Sequence, residues 1–211
     1  MMDETVRKDA HSMRKNILGG LSAGILISIG GTVFLSCENR YVGAILFSVA
    51  LLCICIKGYL LFTGRVGFMP QNHAKADWNA LLLGLLGNAL GTVAFGALIA
   101  FAIPAVGPAA KTLCESKLAQ TVPQALVRAL MCGILMYLAV SIYREQKSLA
   151  GIFFCVPVFI LSGFEHSIAD IFYFAASGIR SLRALGYLLV IIAGNAAGGV
   201  LLPFIKKWQD K

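Results

Sequence analysis

Charge is what this chain has least of. Asp, Glu, Lys and Arg make up 13% of its 211 residues, apolar residues make up 58%, and the mean hydropathy is +0.80. A soluble domain ordinarily carries about 25% charged residues, and here the apolar residues run in long blocks rather than helical stripes, which is the composition of a membrane protein. Histidine is scarce too. Of the three, His11 and His73 lie in polar segments and only His166 falls in an apolar run, so no two imidazoles can share a metal within the bilayer. The six cysteines contain no CxxC pair, and Cys53, Cys55, Cys132 and Cys155 sit in apolar runs where cysteine behaves as a small hydrophobe. Cys37 and Cys114 fall on one side and leave two readings open, a disulfide in an oxidising compartment or two free thiols. The net charge of +8 comes from basic residues scattered over short loops, with no basic stripe interleaved with aromatics, which argues against a nucleic-acid partner. The N-terminal apolar run, Asn16 to Cys37, is too long for a signal peptide and lacks a small-residue cleavage site, so it is expected to stay on the protein.

Blocks able to cross about 30 Å of hydrocarbon fall at 17–36, 42–62, 79–102, 122–143, 149–175 and 184–205, joined by short loops. Basic residues outside them divide unequally. Arg7, Lys8, Arg14, Lys15, Arg65, Lys75, Arg144, Lys147, Lys206, Lys207 and Lys211 fall on the side of both termini, and Arg40, Lys111, Lys117, Arg180 and Arg183 on the other. The positive-inside bias therefore places both termini in the cytoplasm.

The chain repeats itself. Gly24-Ile25-Leu26 recurs as Gly133-Ile134-Leu135, and Gly87-Asn88-Ala89-Leu90-Gly91 as Gly194-Asn195-Ala196-Ala197-Gly198. Each half, about 17–102 and 122–205, holds three spans. An odd number obliges the second half to enter the membrane upside down, which predicts an all-α fold, a single transmembrane domain over 1–211 of six helices in two inverted three-helix repeats, with the solute path at the repeat interface. The second and fifth spans are both interrupted, one at Thr63-Gly64-Arg65-Val66-Gly67 and the other at Ser162-Gly163-Phe164-Glu165-His166. Broken helices at membrane depth survive only where protein or a cavity satisfies the freed backbone groups, and their N-terminal amides suit an anion. Glu165-His166 is an ionisable pair inside the apolar run from Gly151 to Ala176, and such a pair marks a proton or ion path. A lone buried His as a packed core residue, or a break as a simple kink, is the plainer reading of either feature alone. Phe47, Leu51 and Cys55 share one helical face, which on spacing alone fits lipid or core packing as well as a pore wall.

The run Ser162-Gly163-Phe164-Glu165-His166-Ser167-Ile168-Ala169-Asp170 resembles the signature of the formate/nitrite transporter family, and Leu61-Phe62-Thr63 and both Gly-Asn motifs resemble its other conserved segments. The resemblance covers nearly the whole chain. It implies an aquaporin-like homopentamer with a pore in each protomer for small monovalent anions such as formate, nitrite, hydrosulfide, acetate or lactate. It implies a central pore at His166 and Thr63, with Glu165 beside them. It also implies apolar constrictions at Phe47, Leu51 and Phe159 and at Leu61 and Phe62, and an anion-attracting Lys117. There is no cofactor, no metal and no enzymatic chemistry in this reading. Lys57 and Tyr137 depart from the family pattern. Lys57 is read as a second anion attractor, a partner of Glu165, or a snorkelling side chain. Glu165 itself is expected to accept bonds from half-helix amides.

Cost dictates the expected mechanism. A bare anion loses its hydration in an apolar constriction at a penalty of many kcal/mol, whereas the neutral acid loses far less. The solute is therefore expected to be drawn in as an anion, to gain a proton from water or His166 as the surroundings become less polar, and to cross as the neutral acid with protons as the coupled partner. The alternatives are a channel for a neutral small solute, a site in which Glu165, His166 and Asp170 hold a metal, and a purely structural membrane protein.

Overall fold

The structure is a computed structural model that describes the backbone of residues 4–209 and the side chains of residues 10–209. Arg7, Lys8 and Lys211, counted above toward one basic side, lie outside the residues whose side chains are described. The described residues are helical throughout, without strands: α1 (Glu4–Ser36), α2 (Arg40–Lys57), α3 (Phe62–Arg65) running into a 3-10 turn (Val66–Phe68), α4 (Lys75–Ala102), α5 (Val106–Leu118), α6 (Val122–Gln146), α7 (Ala150–Leu161), α8 (Ser167–Ser177) and α9 (Leu182–Gln209). Five of these helices are long and apolar enough to cross a membrane, and α7 and α8 are shorter apolar helices in line with the fifth expected span.

Two expectations need correcting. The first interruption begins at Gly58, not at Thr63. Gly58 adopts the left-handed conformation, its N–H donates to the Cys55 carbonyl and that of Tyr59 to the Ile54 carbonyl, closing α2. Tyr59 to Leu61 lie outside any helix, Leu61 being extended, and Thr63, Gly64 and Arg65 belong to the helical turn of α3. The second interruption falls where the sequence put it. It opens the same way: Gly163 is left-handed, and the N–H of Phe164 donates back to the carbonyl of Phe159 at 2.9 Å. The other correction is α5, which stands where a polar loop was expected. Its buried residues Val106, Ala110, Cys114 and Lys117 share one face at helical spacing.

Packing follows the glycines. The most extensive contacts run between α1 and α4 and between α6 and α9. Gly20 and Gly24 of α1 lie against the backbone at Gly84 and Asn88, and Gly133 of α6 against that at Asn195. Gly198 of α9 is pressed on the Leu130 carbonyl so closely that a Cβ would collide with it. Without a hydrophobic force between helices in lipid, such backbone approach is the main source of helix association. Leu82, Leu86, Leu90 and Val93 project from α4 into the exterior, while Thr63, Asn88, His166 and Asn195 are inside. The molecule is apolar outside and polar at its centre. Arg40 begins α2 and Arg128 lies near the start of α6, whereas Gly58 and Arg144 lie at the other ends of those helices, so the two groups mark opposite ends of the molecule.

Replacing Gly198 by Ala puts a methyl group into backbone and is expected to lower the unfolding midpoint of the detergent-solubilised protein, at a cost of about 1–3 kcal/mol typical of overpacking. Gly186 of the same helix has open space around its would-be Cβ, so Gly186→Ala should leave the midpoint unchanged or raise it. Thermal melts of the two variants followed by circular dichroism check the pair.

Candidate functional site

Both breaks are held by one asparagine each, in the same pattern. Asn88 accepts from the Phe62 N–H at 2.9 Å and donates its amide to the carbonyls of Leu60 (2.7 Å) and Gly20 (2.8 Å). Asn195 accepts from the Ser167 N–H and donates to the carbonyls of Glu165 and Ala129, each at 2.8 Å. An asparagine side chain has one acceptor and two donor hydrogens. That matches one orphan N–H at the start of a half-helix and two carbonyls, one from the non-helical segment and one from the helix behind it. In the sequence the Gly-Asn motifs stand out as repeat markers, and nothing there points to this bonding role.

The half-helices α3 and α8 bring Thr63 and His166 together. His166 is the N-cap of α8 and its Nδ1 accepts from the Ala169 N–H at 3.1 Å. That bond requires a lone pair on Nδ1, so the neutral ring carries its proton on Nε2 and donates it to Thr63 Oγ1, 2.9 Å away. The Thr63 hydroxyl hydrogen is then left for another acceptor. Phe159 stacks on the imidazole with ring centroids 5.5 Å apart, and Phe47 meets Phe159 edge-on at 6.3 Å. Phe47, Leu51, Leu61, Phe62 and Phe159 are all buried, as are Thr63 and His166. A polar pair thus sits in a dry, apolar surround.

A cavity approaches from each mouth. One, of about 220 Å³, ends at Leu51 and Leu61 and carries Arg65, Asp77 and Arg144 on its walls. The other, of about 570 Å³, reaches Glu165 and Gly163 and is lined by Arg40, Lys117, Gln120 and Arg128. Lys117 does not stand free in that vestibule. It is buried, forms an ion pair with Glu165 and lies 2.9 Å from Asp170 Oδ1, while Gln120 Nε2 donates to Glu165 Oε1 at 2.6 Å. The carboxylate of Glu165 is therefore held by α5, and the amides it was expected to cap go to Asn195 and His166 instead. Lys57 is exposed in the last turn of α2, beside a surface cleft with Arg14 and Lys15, and Glu165 has Lys117 as its amine partner in its place. Tyr137 packs on Phe68, ring centroids 5.4 Å apart. Asp170, expected in the sequence only as a possible metal ligand, is a member of the Lys117 cluster, and no local spacing links it to Lys117, which is distant in sequence. Among the described residues no group of three His, Cys, Asp or Glu gathers as a metal site. All six cysteines are free, Cys37 half-buried and Cys114 buried.

The cluster has a testable energetic signature. Lys117→Met would strand two carboxylates away from water and is expected to cost about 3–5 kcal/mol, the typical penalty for breaking a buried pair from one side. The triple variant Lys117→Met, Glu165→Gln, Asp170→Asn removes all three charges and should recover most of that loss. Unfolding midpoints of the two variants provide the check; equal destabilisation of both would deny that charge balance holds α5 in place.

The family model "Formate/nitrite transporter" matches residues 1–208. The chain is 27% identical to "Uncharacterized transporter YwcJ" of Bacillus subtilis over 92% of its own length and 88% of that protein's. It is 28% identical to "Nitrite transporter NirC" of Escherichia coli, over 90% of this chain and 78% of that one. Its fold superposes on a solved structure described as a pentameric formate channel with formate bound, with a TM-score of 0.77, 24% identity, and coverage of 94% of this chain and 97% of the other. With its apolar spanning helices, its paired breaks and a match along almost its whole length, the chain is a multi-pass membrane protein that belongs to the formate/nitrite transporter family.

Proposed function

We propose that the chain forms a channel or transporter for small monovalent weak-acid anions of the formate, nitrite, hydrosulfide, acetate or lactate class, and that the solute crosses its middle as the neutral acid with a proton. The observation that carries this reading is the His166–Thr63 pair, enclosed by Phe47, Phe159, Leu51, Leu61 and Phe62 between two vestibules that both present cations. Cations at the mouths draw an anion in. The apolar middle rejects it as an ion, because dehydration costs many kcal/mol, and admits the uncharged acid. At the midpoint the Thr63 hydroxyl and the Nε2–H behind it give one polar foothold without a net charge. Lys117 was expected to do the attracting; balanced by Glu165 and Asp170 it serves the architecture of the mouth, and attraction there rests on Arg40 and Arg128, which line the same vestibule. Glu165 lines that vestibule too, and its pairing with Lys117 offsets the repulsion its carboxylate would exert on an anionic solute.

Six crossings in two inverted halves are supported by the matched duties of Asn88 and Asn195, by the left-handed glycines that open both breaks, and by α1–α4 and α6–α9 packing as equivalent pairs. In this arrangement α2 with α3, and α7 with α8, each make one crossing. A homopentamer is inferred from the assembly named for the similar channel structure and from the bands of exposed Leu and Val on α4 and α9, which need either lipid or a neighbouring subunit. The basic-residue bias supports both termini facing the cytoplasm, and the proposed location is the cell membrane.

Reconstituted into liposomes, the protein should take up formate or nitrite faster as external pH falls, with alkalinisation outside. His166→Phe should lower that flux by roughly tenfold or more, each tenfold corresponding to about 1.4 kcal/mol of barrier. Flux independent of pH, with uncharged solutes of similar size passing equally well, would instead identify a neutral-solute channel. A stopped-flow pH-dye assay run over a panel of formate, nitrite, hydrosulfide, acetate and lactate reads both outcomes and ranks the substrates.

A further inference from the structure

We infer that the vestibule on the Arg144 side contains an oxyanion-binding site in which the guanidiniums of Arg65 and Arg144 hold one small monovalent oxyanion at the foot of the Leu51–Leu61 constriction. The inference rests on the transport reading above for its purpose, though not for its geometry. Arg65 ends α3 and is half-buried, Arg144 comes from the last turn of α6, and both line the cavity of about 220 Å³ whose inner end is formed by Leu51 and Leu61. The Arg144 guanidinium lies over the Phe68 ring, 4.2 Å from its centroid, which fixes the plane of the fork while leaving its edge N–H groups available.

Charge accounting makes this a site rather than a coincidence. Arg144 and Asp77 are both close enough to act on the charge of Arg65, the first against it and the second in its favour. Asp77 is the only carboxylate on the cavity wall, and its Oδ2 already accepts from the Ala74 N–H at 3.2 Å at the start of α4. The cavity therefore holds two fixed positive charges against one negative. Among the described residues neither guanidinium has a hydrogen-bond or ion-pair partner, and both side chains line the cavity, so their N–H groups remain available to a ligand there. Packing two like charges into a partly dry pocket is unfavourable until an anion joins them. The opposite mouth shows the contrasting solution, where Lys117 has two carboxylates within reach and needs no ligand.

The donor type states the ligand class. A guanidinium edge offers two parallel N–H bonds, which a carboxylate or nitrite accepts with two oxygens and a halide or hydrosulfide cannot. The volume exceeds that of one such anion and leaves room for a few waters at about 30 Å³ each. An oxyanion bound there stands one constriction away from the His166–Thr63 pair, positioned as the waiting point for solute entering from, or leaving to, that side.

The probe is methanesulfonate, which presents two oxygens to a guanidinium edge yet keeps its charge and so cannot cross as a neutral acid. In the purified pentamer it should raise the unfolding midpoint in a saturable way, while chloride at equal ionic strength should not. Arg65→Gln and Arg144→Gln should each weaken the half-saturating concentration by roughly tenfold or more, the scale of one lost charge-assisted pair of hydrogen bonds. Arg144→Lys keeps the charge without the fork and should still lose most of the effect. Arg144 is exposed enough for its variants to fold even if Arg65→Gln does not. In liposomes methanesulfonate should compete with formate flux through the unsubstituted protein and compete poorly in Arg144→Gln. A shift of the same size in Arg144→Gln, or one matched by chloride, would overturn the site. Because the melt does not depend on transport, a protein with the shift but no flux would refute the transport reading alone, and flux without the shift would refute the site alone.

Discussion

Interrupting a helix inside a bilayer frees backbone groups that have no water to turn to, and the rest of this structure is arranged around meeting that demand. Each break releases an N–H at the start of a half-helix and carbonyls from the non-helical residues before it, every one costing several kcal/mol if left bare. Asn88 and Asn195 answer with the same three bonds each. An asparagine can reach these groups only if its helix lies almost backbone to backbone with the neighbour, and that is why glycine surrounds both residues and why α1 meets α4, and α6 meets α9, so closely. The Gly-Asn motif is thus one device: glycine sets the distance, and asparagine uses it.

Once the breaks are secured, their two halves need not carry the same side chain. Counting from the left-handed glycine, Leu61 stands in the first break where His166 stands in the second, and Phe62 where Ser167 stands. The repeated scaffold therefore supplies an apolar closure from one half and an imidazole from the other, and Thr63, one residue beyond, reaches across to the ring. The N-cap bond from Ala169 holds the imidazole by Nδ1 and commits Nε2–H to the centre. Orientation of the ring is set by the backbone of α8, not by the solute, so the centre is preorganised before anything enters it.

The long apolar helices, the Gly-Asn repeat and the second break were legible in the sequence because each is written locally, in hydropathy, in a repeated motif, and in Ser162-Gly163 next to Glu165-His166. The first break was misplaced because Thr63-Gly64-Arg65-Val66-Gly67 concentrates glycine and charge, whereas Tyr59-Leu60-Leu61 reads as continuing helix. What keeps those three residues out of a helix lies far away, in Asn88 and in the Gly19 carbonyl that accepts from the Leu60 N–H. Helix α5 was hidden by Lys111, Glu115 and Lys117, which look like a solvated loop until Lys117 finds Glu165 and Asp170, distant in sequence. Lys57 and Lys117 illustrate the limit: a lysine near a break has no assigned duty until its partners are known, and here one is exposed and the other is neutralised.

On the function proposed above, charge is distributed to suit a solute that changes its own charge. Lys117, Glu165 and Asp170 form a buried cluster in which one ammonium meets two carboxyl groups, so Lys117 adds no net positive pull beyond it. Arginines that lack such partners, Arg128 at one mouth and Arg65 with Arg144 at the other, project their field into the vestibules. Between them the middle offers one neutral imidazole and one hydroxyl among aromatic and aliphatic side chains. A full positive charge at that midpoint would hold an anion too firmly to release it, and a purely apolar midpoint would leave the acid's hydrogen-bonding groups without any partner. A single neutral donor pair lies between those extremes, which under the proposed reading suits passage in either direction, with the proton and solute gradients deciding which way the flow runs.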